Sequence, residues 1–350
     1  MKFGVFWQVP GYEGSDVGRR HWETIEELVL AEKLGFIEGW LAEAPFYPTR
    51  PMSEPLLVAA AAAQHTKEIR FGTLATQVPM HHPLNLATEV ATCDILTQGR
   101  LDLCIGGRWG GPSSQVMGIS SEIDGDESRT MVSEYSNVLK DAWTQPRLNF
   151  KGDYWNFEDV PVLPKPLQGP YPPLLMAANS DGSFKFAAQN GMGVVGITLS
   201  QSVSNLGAHI KTFKSNINKS AANGIPQPFH VVVSLFVAET KEKAYSEPKE
   251  STMFQMQRLI NVITQSIGAA GISAGDDRTA QAERLKAMTY EDVLANTVVY
   301  GTPESVVERL QQLQEELGLT QVIYEVNFGC NVPLEHQIKA VHLINEQVAP

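Results

Sequence analysis

Eight short β-type runs alternate with helical patterns along the 350 residues, and several of the runs are apolar on both faces. These observations predict an α/β chain of the (β/α)8, or TIM-barrel, class. Continuous runs such as VVVSLFVA suit parallel strands covered by helices on both sides. An open, doubly wound sheet is the structural alternative. Residues 1–350 are expected to form one domain, since barrels often use such a length as a single unit.

The strands are expected at Lys2–Val9, Phe36–Glu43, Glu68–Gln77, Arg100–Gly107, Pro173–Ser180, Gly193–Leu199, Phe229–Glu239 and Thr320–Phe328. Between them, Leu86, Val90, Cys93 and Leu96 recur at helical spacing. So do Val203, Leu206, Ile210, Phe213 and Ile217, and then Val306, Leu310, Leu313 and Leu317. The last helix is punctuated by Thr302 as N-cap, Pro303 at its first position and Gly318 at its end. Two connections exceed a minimal barrel. Thr144–Tyr171 alternates aromatic and polar residues and predicts a small hairpin. Lys241–Asn296 contains Gln265–Thr279, rich in Gly, Ala and Ser, which predicts a lid reaching to about residue 290. The loop after barrel strand seven lies on the C-terminal face, where active sites form.

Composition narrows the function. The chain is 43% hydrophobic and 19% charged, which suits a globular protein with a large core. A formal net charge of −12 disfavours nucleic acid and anionic membranes as partners. No apolar run approaches membrane-helix length, and the N-terminus lacks a secretory pattern, so a cytoplasmic location is expected. The three cysteines, Cys93, Cys104 and Cys330, show no pairing pattern; Cys93 and Cys104 read as buried fillers.

The run LDLCIGGRWGGP (101–112) takes an apolar strand into four glycines and Arg108. It satisfies neither the dinucleotide fingerprint nor the phosphate loop ending in Gly-Lys-Ser/Thr. What remains is a glycine backbone that a ligand can approach and a guanidinium suited to phosphate, or else to a surface ion pair. The run AANSDGS (177–183) precedes a helix, and Ser180 or Asp181 is there either an anion seat or an ordinary N-cap. Arg108 and this helix start would belong to adjacent strands and could reach one phosphate. Glu43 closes strand two, as a functional carboxylate or as a solvent-facing or capping acid. His81 and His82 are adjacent and point apart, so they make a poor metal pair and read as structural. No His-Glu-x-x-His and no zinc-type Cys/His spacing occurs in the sequence. Trp7, Trp40, Trp109, Phe46 and Tyr324 either line a pocket for a flat ligand or fill the core.

Thr66–Gly106 reads TKEIRFGTLATQVPMHHPLNLATEVATCDILTQGRLDLCIG. It resembles the bacterial luciferase-like family of flavin-dependent monooxygenases in Thr66–Thr73, in His82-Pro83-Leu84 and in Ala91–Arg100. Lys2-Phe3-Gly4, Ala31–Phe36, Pro164–Gln168 and Phe186–Gly191 also match. The likeness covers about residues 1–200, with a fainter stretch over Thr289–Leu319. The resemblance implies a dimeric barrel that binds reduced FMN supplied by a separate flavin reductase, and that uses O2 to oxygenate a small apolar organic substrate. It implies phosphate contacts at Arg108, Asn179, Ser180 and Ser183, and a flavin ring near Glu43, Ala75, Thr76 and Gly107. It also implies a non-prolyl cis peptide at Leu74–Ala75. The family's histidine after strand two is Ala44 here, and its aspartate after the loop arginine is replaced within Gly110–Ser114. Light emission is therefore not expected, and Glu43, Trp109 and His82 are the candidates for catalysis. Alternatives of the same fold are an oxidoreductase using the deazaflavin F420 and a non-catalytic flavin-binding subunit. A metal-dependent barrel hydrolase is the remaining enzyme class.

Overall fold

The structure is a computed structural model. It describes residues 1–8, 16–46, 51–106, 116–119, 123, 125–198, 202–218, 220, 222–269, 283, 285–325, 327–329 and 331–348. The strands are β1 (Lys2–Trp7), β2 (Glu38–Leu41), β3 (Arg70–Thr73) with the short β4 (Thr76–Gln77), β5 (Leu101–Gly106), the hairpin β6 (Leu148–Lys151) and β7 (Asn156–Val160), β8 (Leu174–Ala177), β9 (Gly193–Ile197), β10 (Phe229–Val237), β11 (Val299–Gly301) and β12 (Gln321–Glu325). Eight of them pair in parallel in the order β1-β2-β3-β5-β8-β9-β10-β12, and β12 returns to β1. The ring is closed, so the expected barrel is observed and the open sheet is not.

The helices are α1 (Val17–Lys33), α2 (Pro55–Ala63), α3 (Pro83–Leu96), α4 (Gly125–Thr144), α5 (Asp181–Gln189), α6 (Val203–Ser215), α7 (Lys241–Ser246), α8 (Lys249–Ala269), α9 (Tyr290–Asn296), α10 (Pro303–Leu317) and α11 (Leu334–Leu343). The principal core lies between strands and helices and joins Leu28 of α1, Val90 of α3 and Leu310 of α10 to Val5, Phe71 and Leu103. Alternation along each strand sends the other side chains inward. Phe6, Trp40, Leu74, Cys104, Leu175, Val195, Val232 and Ile323 fill the barrel interior. Trp40 is fully buried at its centre. A Cβ on Gly72 would lie 2.2 Å from the indole, so the glycine creates the space.

Below Trp40 the interior is polar. Trp40 Nε1 donates to Glu38 Oε2 at 2.8 Å, and Gln321 donates to the same carboxylate. Arg70 makes a two-pronged pair with Asp102, both bonds at 2.8 Å. Its Nη2 also reaches Gln168 Oε1 at 3.1 Å, and Gln168 in turn bonds Asp94 through its backbone N–H and its side-chain amide. Outside the barrel, Arg100 donates to Thr66 Oγ1 and to the carbonyls of Ala63, Thr66, Ile69 and Thr97. The Glu32 carboxylate accepts the backbone N–H groups of Lys67, Glu68 and Ile69. The motif string of the sequence is thus a hydrogen-bonded clasp joining α1, α3, β3 and β5.

Several expectations need correction. The third expected strand is broken at the cis bond Leu74–Ala75, which separates β3 from β4. Strand β11 was not expected; it pairs with β10 beside the barrel. Leu96 and Ile217 are exposed because they fall where their helices end. Thr302 and Pro303 take the expected start positions of α10 and Gly318 is left-handed at φ 66°, but the Thr302 hydroxyl makes no capping bond. Gln265–Ala269 belong to helix α8, not to a glycine-rich loop. Residues 270–282 of the expected lid lie outside the described residues. The expected hairpin is present as β6–β7.

Burial pushes the Glu38 carboxyl up to about 7, and the Asp102 charge adds to this. An acid with a raised folded pKa binds more protons when folded. Stability from this group is therefore present near pH 4.5 and lost as pH rises through about 7. Glu38→Gln keeps a polar partner for Trp40 and removes the titration. The variant should match the wild type at pH 5 and exceed it at pH 8.5 by up to about 3 kcal/mol in urea unfolding.

Candidate active site

The C-terminal ends of the eight strands form the barrel mouth, and its inward positions divide into two halves. Over β2, β3, β5 and β8 the side chains are small. They are Ala42, Ala75, Gly106 and Ala177, with Ile197 following on β9. An added Cβ at Gly106 would meet Ala75 Cβ at 3.4 Å, so the glycine and the cis segment lie flush. Thr76 is buried, and its Oγ1 has no hydrogen-bond partner among the described residues. Over β10, β12 and β1 the side chains are polar. Ser234 Oγ donates to Glu325 Oε2 at 2.9 Å, and Gln8 Nε2 donates to Glu325 Oε1.

Glu43 does not face this mouth. It shares the outward parity of Leu41 and lies buried behind the wall. Its Oε1 accepts the Gln77 N–H at 3.2 Å and faces His81 Nε2 at 3.0 Å, while the Gln77 side chain donates to the Glu43 carbonyl at 2.9 Å. The solvent-facing and helix-capping readings of Glu43 are thereby overturned; it holds β4 in place just beyond the cis bond. Burial opposes charge on His81, but the hydrogen bond and charge of Glu43, with Glu89 and Glu54 beyond, hold its pKa above the ordinary value. His82 points away, as adjacent residues do. Its Nδ1 caps α3 by accepting from Leu84 N at 3.3 Å, and its ring meets Phe157 edge-on. Both histidines are therefore tied into the structure.

The helix start after β8 carries a capping box. Ser180 Oγ accepts from Ser183 N at 3.3 Å, while Ser183 Oγ accepts from the N–H groups of Asn179 and Ser180 at 3.2 and 3.0 Å. This is the N-cap of the sequence reading, and it stays open to a ligand. Asn179, Ser180 and Gly182 are exposed, and nothing lies within 4 Å of where a Gly182 Cβ would stand. The Asp181 carboxylate is engaged by Thr212 Oγ1 at 2.6 Å. Gly107, Arg108 and Trp109 lie outside the described residues. Among the other aromatic candidates, Trp7, Trp40 and Tyr324 are core, and Phe46 is exposed. Cys93 and Cys104 are buried, and burial pushes the Cys93 thiol up to about 12, as for an inert filler.

The sequence matches the profile of the luciferase-like monooxygenases over residues 1–321. The chain belongs to the luciferase-like monooxygenase family. It is similar to limonene 1,2-monooxygenase of Rhodococcus erythropolis, with 24% identity over 100% of this chain and 86% of the relative. It is 30% identical to the oxygenase component of the flavin-dependent trigonelline monooxygenase of Acinetobacter baylyi, over 55% of this chain and 53% of that one. The fold matches the oxygenating constituent of 3,6-diketocamphane monooxygenase of Pseudomonas putida, solved in complex with FMN. There the TM-score is 0.79 at 22% identity, over 100% of this chain and 98% of the other. In this luciferase-like barrel, Gln8, Ser234 and Glu325 escaped the sequence reading. The signal was present: Glu325 follows Gln321 and Ile323 at period two and so points inward, whereas Glu43 does not.

The His81–Glu43 contact belongs to a group whose folded pKa is raised. Its stabilisation is complete below about pH 6.5 and lost as pH rises through the folded pKa. His81→Asn should destabilise the protein by about 1.5–3 kcal/mol at pH 6 and by clearly less at pH 9, read by thermal unfolding at both values.

Proposed function

We propose that the protein is the oxygenase of a two-component system, taking reduced FMN from a flavin reductase and using O2 to oxygenate a small organic substrate. The small-residue half of the mouth carries this reading. Ala42, Ala75, Gly106 and Ala177 leave a shelf of small residues on four neighbouring strands, where a planar ring can lie. The residues fit a flavin: Thr76 Oγ1 offers a buried, unpartnered hydroxyl beside that shelf. The open start of α5, which follows the last of these strands, offers a seat for the phosphate at Asn179, Ser180 and Ser183, joined by Arg108, which follows β5 in the sequence; Gly107 adjoins the ring.

When bound, the reduced flavin supplies the electrons that activate O2, with one oxygen atom passing to the substrate and the other to water. The chain's own residues do the rest. The capping-box serines and Arg108 anchor the phosphate. The shelf orients the ring, and the Glu43–Gln77 bonds hold its β4 rim. Trp40 and the apolar layer beneath keep water out from below. Glu43 and His82 act by holding structure and not as catalysts, since each is bound into the wall. Trp109, next to Arg108 in the sequence, is the remaining candidate to line the substrate pocket.

A homodimer is part of this reading. Leu57 on α2 and Ile95 and Leu96 on the neighbouring α3 are exposed, and Gln64 joins the two helices by donating to the Leu96 carbonyl at 3.1 Å. A second copy would cover this apolar face. We place the protein in the cytoplasm; no described helix is long and apolar enough to cross a membrane.

Arg108→Ala should weaken FMN binding at least tenfold, about 1.4 kcal/mol. Parallel titrations with reduced FMN and with F420 check the cofactor. Tighter binding of F420, or unchanged FMN affinity in the variant, would contradict the reading.

A further inference from the structure

Helix α8 crosses the polar half of the mouth. Its Ser251 Oγ donates to the Phe328 carbonyl at 2.7 Å and accepts from Asn331 N at 2.9 Å. A Cβ on Gly329, which sits at φ 93°, would lie 1.9 Å from the Ser251 carbonyl oxygen. The turn after β12 is therefore in direct backbone contact with the helix, and only glycine permits it. Gln255 and Arg258 follow Ser251 at i+4 and i+7, on the same face of α8. Arg258 reaches the end of β1, where its Nη2 donates to Gln8 Oε1 at 3.4 Å. Gln8 leads on to Glu325 and Ser234. The face Ser251-Gln255-Arg258 thus roofs the polar half from β12 to β1.

Three polar atoms on this helix face and the β12 turn are buried and have no hydrogen-bond partner among the described residues. They are Arg258 Nη1, Asn327 Nδ2 and Gln255 Oε1. Buried donors and acceptors are almost always satisfied in folded proteins, and exceptions on one helix face and the turn packed against it point to a missing partner. Two of the three are donors, and one of those is a guanidinium. A nearby carboxylate, Glu325, already supplies a negative charge to the same cluster through Gln8. A second full negative charge would meet Glu325, whereas a neutral oxygen can accept from both donors.

We propose that Arg258 and Asn327 form the substrate-specifying end of the pocket, and that they take the carbonyl oxygen of a neutral substrate such as a ketone, ester or lactone. This rests on the flavin occupying the small-residue half, which leaves the polar half to the substrate. Gln255 would accept from an adjoining N–H or O–H of the substrate or a water beside it. Glu325, Gln8 and Ser234 hold Arg258 in register.

The test uses the full-length protein loaded with oxidised FMN. Saturation-transfer NMR would compare cycloalkanones of six to twelve carbons with the cycloalkene and the cycloalkanecarboxylate of each ring size. The wild type should bind at least one ketone tenfold more tightly than both controls. Arg258→Met should abolish that preference and leave FMN affinity unchanged. Arg258→Lys, which keeps the charge and a donor, should retain part of it and guards against a folding defect in the methionine variant. A wild type that binds no ketone, that prefers the carboxylate or that does not discriminate would overturn the proposal. So would a preference that survives in Arg258→Met. Failure of the wild type to take up FMN would instead sink the flavin reading on which the proposal rests.

Discussion

The indole of Trp40 plugs the centre of the barrel, and the rest of the interior is arranged around it. It fits because Gly72 on the next strand has no side chain, and its N–H is satisfied by Glu38. Below the indole, the buried Glu38, Asp102 and Gln321 and the half-buried Arg70 form a polar layer. His230 lies there too, tilted against Trp40, with burial pushing its imidazole down to about 4. Above it the side chains shrink to alanine and glycine on one side and turn polar on the other. A barrel filled to the top would have no binding surface. The plug lets the lower half carry the fold while the upper half remains shaped for a ligand.

The fold was largely legible because it rests on repeated local signals. Short β-type runs alternating with period-3.6 patterns placed all eight barrel strands, and the aromatic alternation of Thr144–Tyr171 placed the hairpin. The family motif was legible too, but its residues mostly do structural work. Arg100 gathers Thr66 and four carbonyls, Glu32 caps the turn into β3, and Asp94 grips Gln168 across 74 residues. These contacts explain why such a string marks the fold so well while saying little about substrate. Strand β11 was missed because three residues carry too short a pattern.

The site was legible only in part. The cis bond at Leu74–Ala75 stands where the resemblance implied it. Glu43 was chosen for its place at a strand end, without regard to parity. Counting by twos from Leu41 sends it outward, where it meets Gln77 and His81. The same count from Ile323 sends Glu325 inward. Arg258 was beyond sequence reasoning, because its place depends on Gly329 letting α8 settle onto the β12 turn. That contact joins residues far apart in the chain and has no periodic signature.

The central claim is that the Ala42–Ala75–Gly106–Ala177 half of the mouth seats the flavin ring. Anaerobic titration of the wild type and of Gly106→Val with reduced FMN tests it directly. The account predicts one flavin bound per wild-type chain and at least a tenfold weaker affinity in the variant, with thermal unfolding little changed. Equal affinities in the two proteins, or no binding by the wild type, would contradict it.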